Sequence, residues 1–343
     1  MGFAEALLSW FSEHGRDLPW RQTEDPYAIW VSEVMLQQTR AEVVLPYYER
    51  FLRAFPTVQA LAQAPLDAVL RVWEGLGYYA RARNLHRAAR VIIRRGGRFP
   101  SDAMAWRELP GIGPYTAAAL AAIVNGEDAI ALDANLLRVG ARLFGERQAV
   151  SQPEVRKRIA RKLLELLPPG KAGMFNQALM DLGATVCLPR NPRCDSCPVR
   201  EYCIANATGQ QGAIPAHVAH KPRPHKQFVV AYIRDGQGRV LMIRQPARGV
   251  WGGMWTLPQA EAQSWREARP KLEAMTGGQL KRIPRRPSYT TAHTFTHFSA
   301  TYTAFPALLF ARSTRGRWVR PEQPNLPVPV PHRRILQALS RSP

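Results

Sequence analysis

The sequence of 343 residues contains no apolar run of the roughly 18 residues that a membrane span needs. Residues 1–10 include Glu5 and no cationic stretch, so no secretory signal is visible and we expect a cytoplasmic protein. Acidic residues are scarce too: 26 Asp and Glu stand against 47 Lys and Arg, which gives a net charge of +21. This charge favours a polyanionic partner such as nucleic acid, although a genomic bias toward arginine would also produce it.

The composition shows no sign of a fibrous, disordered or disulfide-stabilised chain. With 46% hydrophobic and 21% charged residues, it is that of an ordinary globular protein able to bury a core. The length predicts two domains, on a prior of roughly 100–200 residues for each.

Cysteine is rare, and all four cysteines lie in one stretch with the spacing C-x6-C-x2-C-x5-C: Cys187, Cys194, Cys197 and Cys203. Structural zinc sites usually repeat a short knuckle twice, whereas only the central pair has that spacing here. The asymmetric set favours a [4Fe–4S] cluster with one cysteine per iron, and leaves zinc as the alternative. Between these ligands, Arg190 and Arg193 would present guanidinium groups to a polyanion.

Helical periodicity dominates residues 1–207, with proline and glycine breakers between the segments. A stretch rich in proline and histidine, 215–226, indicates an extended linker. We predict an all-α domain over 1–208 with the cysteine loop 187–203, a linker over 209–226, and a second domain over 227–343. The predicted helices are Phe3–Glu13, Pro26–Arg40, Ala41–Phe55, Leu66–Gly75, Ala82–Arg95, Thr116–Asn125, Ala134–Phe144, Pro153–Leu167 and Phe175–Ala184.

From Gln227 onward the hydrophobic period changes to two, which predicts strands. The runs QFVVAYIR and RVLMIRQ flank the turn residues 235–238 and predict a hairpin, and His293–Phe305 predicts a further strand. A helix is expected over Ala260–Met275, although Pro270 interrupts it. The second domain is therefore predicted to be α+β.

A glycine-containing turn, LPGIGPYTAAA, lies between two helical segments. Gly111 and Gly113 allow a tight turn whose backbone N–H groups and helix N-terminus would bind a phosphate. A plain turn between helices is the alternative and, for a lone G-x-G, the commoner one. Twenty residues further on, Asp133 in LDAN precedes an apolar helical pattern and would serve as its N-cap.

Glu33 is unusual because it has apolar neighbours at most positions of its helix, where it shares a face with Trp30 and Gln37. A carboxylate is almost never fully buried without a partner. Glu33 therefore lies either at a helix edge, paired to an arginine, or in a cleft. Burial in a cleft would raise its pKa and keep it protonated, which is the state that a general acid needs.

Several motifs in one order point to a known family. LPGIGPYTA, followed by LDAN and the four-cysteine spacing, resembles the helix-hairpin-helix DNA glycosylase superfamily and its iron–sulfur branch. The segments WVSEVMLQQT, LPW, GLGYYARARN, GVWGGMWTLP and HTFTHF resemble MutY-type adenine DNA glycosylases over almost the whole chain. The resemblance implies an all-α helix-hairpin-helix domain with a [4Fe–4S] loop, and an α+β MutT/Nudix-like domain.

The resemblance also implies an activity: a monofunctional glycosylase of base excision repair, acting as a monomer on double-stranded DNA and excising adenine opposite 8-oxoguanine or guanine. Glu33 matches the general acid that protonates adenine N7, and Asp133 matches the carboxylate that stabilises the oxocarbenium-like sugar. Tyr115 and Asn135 match residues that orient these groups. Bifunctional relatives have a Schiff-base lysine where this chain has Tyr115, and its first lysine is Lys157.

Other positions are matched by the same resemblance. The residues that resemble an adenine pocket are Trp20, Arg21 and Gln177. The residues that would meet the DNA backbone are Gly111, Gly113, Arg190 and Arg193. The residues that would wedge the duplex or meet the opposite base are Leu36, Gln38 and Tyr78. The residues that would read the lesion are Phe295, Thr296 and His297, where Thr296 replaces the family's usual serine.

Three alternatives remain at this point. A Nudix hydrolase would need an acidic R-E-x-x-E-E helix to hold magnesium, but residues 265–271 contain Glu267 alone, followed by Pro270 and cations. A lesion-recognition domain is therefore the better expectation. A pyrimidine-lesion glycosylase with a lyase step is the rival among enzymes, and a mismatch-binding protein without catalysis is the rival outside them.

Overall fold

The computed structural model describes residues 2–216, 222–283, 289–310 and 315–340. Its contacts divide the chain into two compact units. The first comprises Met1–Ala62 and Arg87–His220, and the second comprises Gln63–His86 and Lys221–Pro343. The predicted linker 209–226 lies partly outside the described residues, and its last two residues belong to a strand that starts at His225.

All nine helices predicted from periodicity are present, and the described residues 2–216 contain three short α-helices besides. The helix predicted over Pro26–Arg40 is wrong at its end, because Gln38 has a left-handed backbone (φ 58°) that no α-helix accommodates. The helices are α1 (Phe3–His14), α2 (Pro26–Leu36), α3 (Ala41–Ala54), α4 (Val58–Gln63), α5 (Leu66–Val72), α6 (Ala80–Arg94), α7 (Ala103–Arg107), α8 (Pro114–Val124), α9 (Ala134–Leu143), α10 (Pro153–Glu165), α11 (Ala172–Thr185) and α12 (Ile204–Ala207).

A core of buried residues around α9, α10 and α11 fixes the position of α9 in the first unit. Phe175 and Leu179 of α11 pack with Leu136 of α9, and all three are fully buried. Gly183 brings α11 close to the start of α9, because a Cβ on this glycine would lie 2.6 Å from the Cβ of Asn135. The first turn of α9 is thus fixed by tight helix packing.

The second unit combines α5 and the start of α6 with two sheets and two helices. The larger sheet has the order β4-β1-β7-β5, with β6 paired to β7, and the smaller sheet has the order β3-β2-β8. The elements are β1 (His225–Ile233), β2 (Val240–Arg244), β3 (Trp255–Thr256), β4 (Gln259–Glu261), α13 (Trp265–Thr276), β5 (Gln279–Arg282), β6 (Tyr289–Thr294), β7 (Ser299–Phe310), β8 (Arg317–Val319) and α14 (Val330–Ser340).

The predicted hairpin of QFVVAYIR and RVLMIRQ is wrong, although its turn forms. Asp235 closes the turn with its carbonyl and its carboxylate, but beyond the bridge Arg234–Val240 the two strands separate into different sheets. β1 pairs in parallel with β7 and antiparallel with β4. Residues 229–233 are all buried, which is typical of a strand covered on both faces rather than of one arm of a hairpin.

The run His293–Phe305 was expected as one strand and is divided between two. β6 ends at Thr294, the loop 295–298 turns, and β7 begins at Ser299, opposite Thr294. The predicted helix over Ala260–Met275 begins later, after the Ser264 cap, and contains Pro270. Among the described residues, no helix is long and apolar enough to span a membrane.

Candidate active site

Glu33 lies on α2 and is only 5% exposed. Within the described part of the chain its Oε2 atom has no hydrogen-bond partner. Burial, together with the nearby charge of Asp133 and against the opposing charge of Arg21, raises the pKa of Glu33 from its usual 4.5 to about 7. Of the two sequence interpretations, the buried acid is therefore the one that the structure shows.

Asp133 is the N-cap of α9, as its position predicts, and it also faces the same site. One of its oxygens accepts a hydrogen bond from Leu136 N at 2.7 Å, and the other accepts one from Asn135 Nδ2 at 3.2 Å. Burial raises the pKa of Asp133 above its usual value, and the hydrogen bonds from Leu136 and Asn135 and the charge of Arg138 oppose that rise without cancelling it. The cap thus fixes the Asp133 carboxylate close enough to Glu33 for its charge to act on that acid.

The two carboxyl groups have unequal surroundings. Asp133 has donors on both oxygens, which favour its ionised form, whereas Glu33 is buried and its Oε2 has no donor among the described residues. Since each negative charge disfavours the other, the proton of the pair resides on Glu33. This division leaves one acid able to donate a proton and one anion able to stabilise positive charge.

Tyr115 follows the glycine turn and begins the first turn of α8. Burial and the charges of Glu33 and Asp133 raise the pKa of its phenol well above the usual value. Tyr115 is therefore neutral and lies where both carboxylates act on it. A neutral phenol does not compete with the two carboxyl groups for ionisation.

The turn before Tyr115 has the form of a helical hairpin between α7 and α8. Gly111 adopts a positive φ of 85°, which favours glycine, and Gly113 is the N-cap of α8. Ile112 is buried between the two exposed glycines and anchors the turn. A Cβ on Gly113 would meet no atom within 4 Å, so another molecule can approach the backbone closely at this helix start.

A buried ion cluster supports Arg21, and the sequence reasoning missed it. Asp181 on α11 is fully buried and accepts hydrogen bonds from Arg16 and Arg21, with Arg21 Nη1 at 2.8 Å and Arg16 Nη2 at 2.7 Å. These donors lower the pKa of Asp181 although burial raises it. The signal was available, because Asp181 is a lone acid in the apolar segment NQALMDLGA, as Glu33 is in its own helix.

A chain of hydrogen bonds connects Asp133 to the cysteine loop. Asn135 donates to Asp133, and Arg138 Nη2 donates to Asn135 Oδ1 at 2.9 Å. Arg138 Nε also donates to the carbonyl of Cys187 at 2.8 Å. Arg142, which is 2% exposed, donates to Cys187 Sγ at 3.3 Å. Sequence reasoning missed both arginines, since their spacing is that of an ordinary helix face.

The four cysteines form no disulfides among the described residues, and all four line one cavity. Among the described residues, no three His, Cys, Asp or Glu side chains are close enough together to hold a single metal ion. The four sulfurs instead surround a shared space that Arg142 also lines. Four thiolate donors around one cavity, with a cation beside them, fit an anionic iron–sulfur cluster.

The remaining candidates of the first unit occupy different settings. Trp20 is buried against Tyr48, with ring centroids 5.2 Å apart, and Gln177 is half-buried on α11. Leu36 is half-buried at the end of α2, next to the exposed Gln38. Arg190 and Arg193 are both exposed on the cysteine loop, as a role in meeting a polyanion requires.

The second unit brings Tyr78 and the loop 295–298 together. Tyr78 has a left-handed backbone (φ 48°) and is 42% exposed. Its hydroxyl lies 2.7 Å from Thr296 Oγ1. Phe295 stacks on Phe298, with centroids 4.3 Å apart, whereas Thr296 and His297 are exposed. The sequence pattern suggested no direct contact between Tyr78 and Thr296.

Comparisons with known proteins agree with this architecture. Residues 31–169 match the HhH-GPD superfamily of base excision DNA repair proteins, and residues 187–203 match the iron–sulfur binding domain of endonuclease III. Residues 229–338 match the NUDIX domain. The class is therefore a helix-hairpin-helix repair protein with a [4Fe–4S] loop and an α+β Nudix-like domain, as the sequence predicted.

Individual relatives show to which family within this class the chain belongs. The human adenine DNA glycosylase is 31% identical and aligns with 94% of this chain and 70% of its own length. The mouse adenine DNA glycosylase is 32% identical over 90% of this chain and 70% of its length. A solved structure of a thermostable thymine-DNA glycosylase is 32% identical, covers 60% of this chain and 95% of that one, and has a TM-score of 0.54. The chain belongs to the adenine DNA glycosylase family.

Proposed function

We propose that this enzyme removes adenine from double-stranded DNA when the base lies opposite 8-oxoguanine or guanine. The proposal is carried by one observation: Glu33 is buried, has a free carboxyl oxygen, and has a pKa near 7 beside the hydrogen-bonded carboxylate of Asp133. A pair of acids in unequal protonation states is the arrangement that acid-assisted glycosidic cleavage needs.

The proposed reaction uses both acids. Glu33 gives its proton to adenine N7, the C1′–N9 bond breaks, and its electron pair leaves with the neutral base. Asp133 stabilises the positive charge that develops on the sugar. A water molecule then adds to C1′ and passes a proton back to Glu33, which restores the enzyme and leaves an abasic site. Adenine reaches the acids by flipping out of the duplex.

Other residues would support this step. Asn135 would hold Asp133 in place through its 3.2 Å hydrogen bond, and Tyr115 would orient the acids from beside them. Trp20 offers a buried aromatic wall, while Arg21 and Gln177 offer polar groups for the edge of a base. Tyr115 also replaces a Schiff-base lysine, so we expect base release without an efficient lyase step.

Contacts to DNA would come from several elements. The amides around Gly111 and Gly113 would bind phosphates without regard to sequence, and Arg190 and Arg193 would add charge-assisted contacts. When bound, the [4Fe–4S] cluster ties its four cysteine ligands into one ordered loop. Leu36 and Gln38 would wedge the duplex, as would Tyr78, whose ring is suited to intercalation.

We assign base removal to residues 1–208, a linking role to 209–226, and reading of the opposite base to 227–343. Phe295, Thr296 and His297 would meet the lesion, with the Thr296 hydroxyl as the hydrogen-bonding group. We propose a monomeric protein acting in the cytoplasm on the bacterial nucleoid.

The test is single-turnover release of free adenine from duplexes with adenine opposite 8-oxoguanine, guanine or thymine. We expect release from the first two and none from the third, loss of release in Glu33→Gln, and normal release in the exposed control Glu13→Gln. Wild-type rates in Glu33→Gln would contradict the acid assignment. Release of thymine from a G:T duplex in place of adenine would contradict the assignment of adenine as the substrate. Binding with no base release would indicate a mismatch-binding protein.

A further inference from the structure

Residues 63–86 belong by contact to the C-terminal unit, although they precede it in the chain by more than a hundred residues. The superfamily match to the helical domain, 31–169, runs straight through this segment. The segment therefore has the sequence of one domain and the contacts of the other. Specific interactions must hold residues 63–86 in the C-terminal unit, and two carboxylates of this segment make them.

Asp67 on α5 is held by two neighbours of the smaller sheet. Its Oδ1 accepts a hydrogen bond from Arg244 Nη2 at 2.8 Å, and its Oδ2 accepts one from Trp255 Nε1 at 3.2 Å. Arg244 and Trp255 face each other across β2 and β3. The two donors are thus fixed by the sheet, and both oxygens of the carboxylate are occupied.

Glu74 is held by the C-terminal part of the chain. It accepts hydrogen bonds from Nε and Nη2 of Arg333 on α14, and another from the backbone N–H of Val328 at 3.3 Å. The Glu74 side chain is 15% exposed, so water screens this pair little. A two-pronged arginine–carboxylate contact fixes orientation as well as distance.

Apolar packing runs beside the two carboxylates. Leu66 and Leu70 of α5 approach Gly253, and Arg83 Nη1 donates to the carbonyl of Gly252 at 2.7 Å. Gly253 has a positive φ of 77°. A Cβ on Gly253 would lie 3.7 Å from Leu70 Cδ1 and 4.0 Å from Leu66 Cδ2, so the backbone there is in van der Waals range of α5, and its positive φ favours glycine.

The attached segment carries Tyr78. Arg81, which is 7% exposed, places its guanidinium carbon 5.1 Å from the Tyr78 ring and 5.5 Å from the Trp73 ring. The other end of Tyr78 contacts Thr296. Tyr78 is therefore held at both ends, and it forms one continuous surface with the loop 295–298.

We propose that Asp67 and Glu74 are positioning residues for discrimination of the base opposite adenine: they fix the Tyr78 segment on the C-terminal domain, so that Tyr78 and Thr296 meet that base as one preformed surface. This inference rests on the proposed function. A preformed surface discriminates better than a loose one, because its polar groups do not rearrange to suit the wrong base.

The test is binding, which needs no chemistry. Dissociation constants are measured for duplexes with a tetrahydrofuran abasic-site analogue opposite 8-oxoguanine or guanine. In Glu74→Gln, Asp67→Asn and the double variant, we expect the preference for 8-oxoguanine to fall by about tenfold, or about 1.4 kcal/mol. Single-turnover adenine release from the A:8-oxoguanine duplex at saturating enzyme should stay within about twofold of wild type, because Glu33 and Asp133 are untouched.

The matched control is Glu273→Gln. Glu273 also accepts one arginine, Arg269, and one backbone N–H, that of Leu280, and its side chain is 24% exposed. We expect it to leave the preference unchanged. The charge-reversed pair Glu74→Arg with Arg333→Glu should recover most of the preference. This pair still tests the proposal if the variant that combines Asp67→Asn and Glu74→Gln does not fold.

An unchanged preference in Asp67→Asn and Glu74→Gln would overturn the proposal. So would an equal loss of affinity for both duplexes, or an equal loss of preference in Glu273→Gln, since each would indicate general destabilisation. A wild-type protein that binds both duplexes equally would also overturn it. Failure of adenine release with an intact binding preference would instead contradict the proposed function alone.

Discussion

An acid that donates a proton near neutral pH needs a pKa close to that pH, and burial gives Glu33 one of about 7. Below pH 7 the side chain carries the proton that the reaction uses, and above it the proton is lost. We therefore expect the single-turnover rate of adenine release to be level in mild acid and to fall about tenfold per pH unit well above 7. A rate that instead rose through pH 7 to 9 would indicate a base in this role.

In Glu33→Gln the rate of adenine release should fall by about 10²–10⁴-fold, the usual contribution of general acid catalysis. What remains should show no pH step near 7. Tyr27→Phe is a suitable control, because Tyr27 is buried on the same helix and donates to the carbonyl of Phe55, away from the acids.

Glu33, which the reaction needs, should also lower the stability of the folded protein above neutral pH. Folding raises the pKa of Glu33, so the folded protein is less stable when Glu33 loses its proton. The stability that goes with the protonated side chain is fully present below about pH 4.5 and is lost as pH rises through about 7. Glu33→Gln removes this loss, so it should stabilise the protein at pH 8 by on the order of 3 kcal/mol and much less at pH 4.5. Thermal unfolding at the two pH values measures the difference, and equal shifts at both would contradict the burial argument.

At the scale of elements, the cysteine loop joins α9 to the surface that carries Arg190 and Arg193. Cys197→Ser should reduce bound iron and weaken DNA binding by about tenfold, since the loop loses the bonds that order its arginines. Ser196→Ala is the matched control, because Ser196 lies in the same loop and its hydroxyl donates a hydrogen bond to the nearby carbonyl of Arg193 rather than binding iron. Iron content and DNA affinity are the measurements, and normal affinity in an iron-free variant would refute the link.

The elements also show where the sequence was informative. Helical periodicity located helices such as α3 and α10 because each buries one face, whereas α2 is buried at every position from Tyr27 to Met35 and was located by its apolar content. Asp133 was correctly expected as an N-cap. The hairpin at 235–238 was wrong because local turn chemistry does not reveal which sheet a strand joins. The ion cluster at Asp181 and the chain through Arg138 depend on residues distant in sequence, which periodicity does not connect.

At the scale of the whole molecule, a net charge of +21 predicts DNA binding that weakens steeply with salt. Log Kd should rise linearly with log salt concentration, and the slope should fall by about 1 for each of Arg190→Gln and Arg193→Gln. The control is Arg269→Gln, which removes a charge from an exposed ion pair with Glu273. A control that lowers the slope equally would show that net charge, rather than these two arginines, governs it.

The placement of residues 63–86 has a consequence for how such proteins diverge. A chain severed near residue 221 would leave Leu66 and Leu70 without Gly253, and would deprive Asp67 and Glu74 of their arginines. The piece that can be exchanged between homologues is therefore discontinuous: a graft of the C-terminal domain must carry two matching helices from the middle of its neighbour. Substitutions at Arg244 or Arg333 should accordingly be accompanied by substitutions at Asp67 or Glu74.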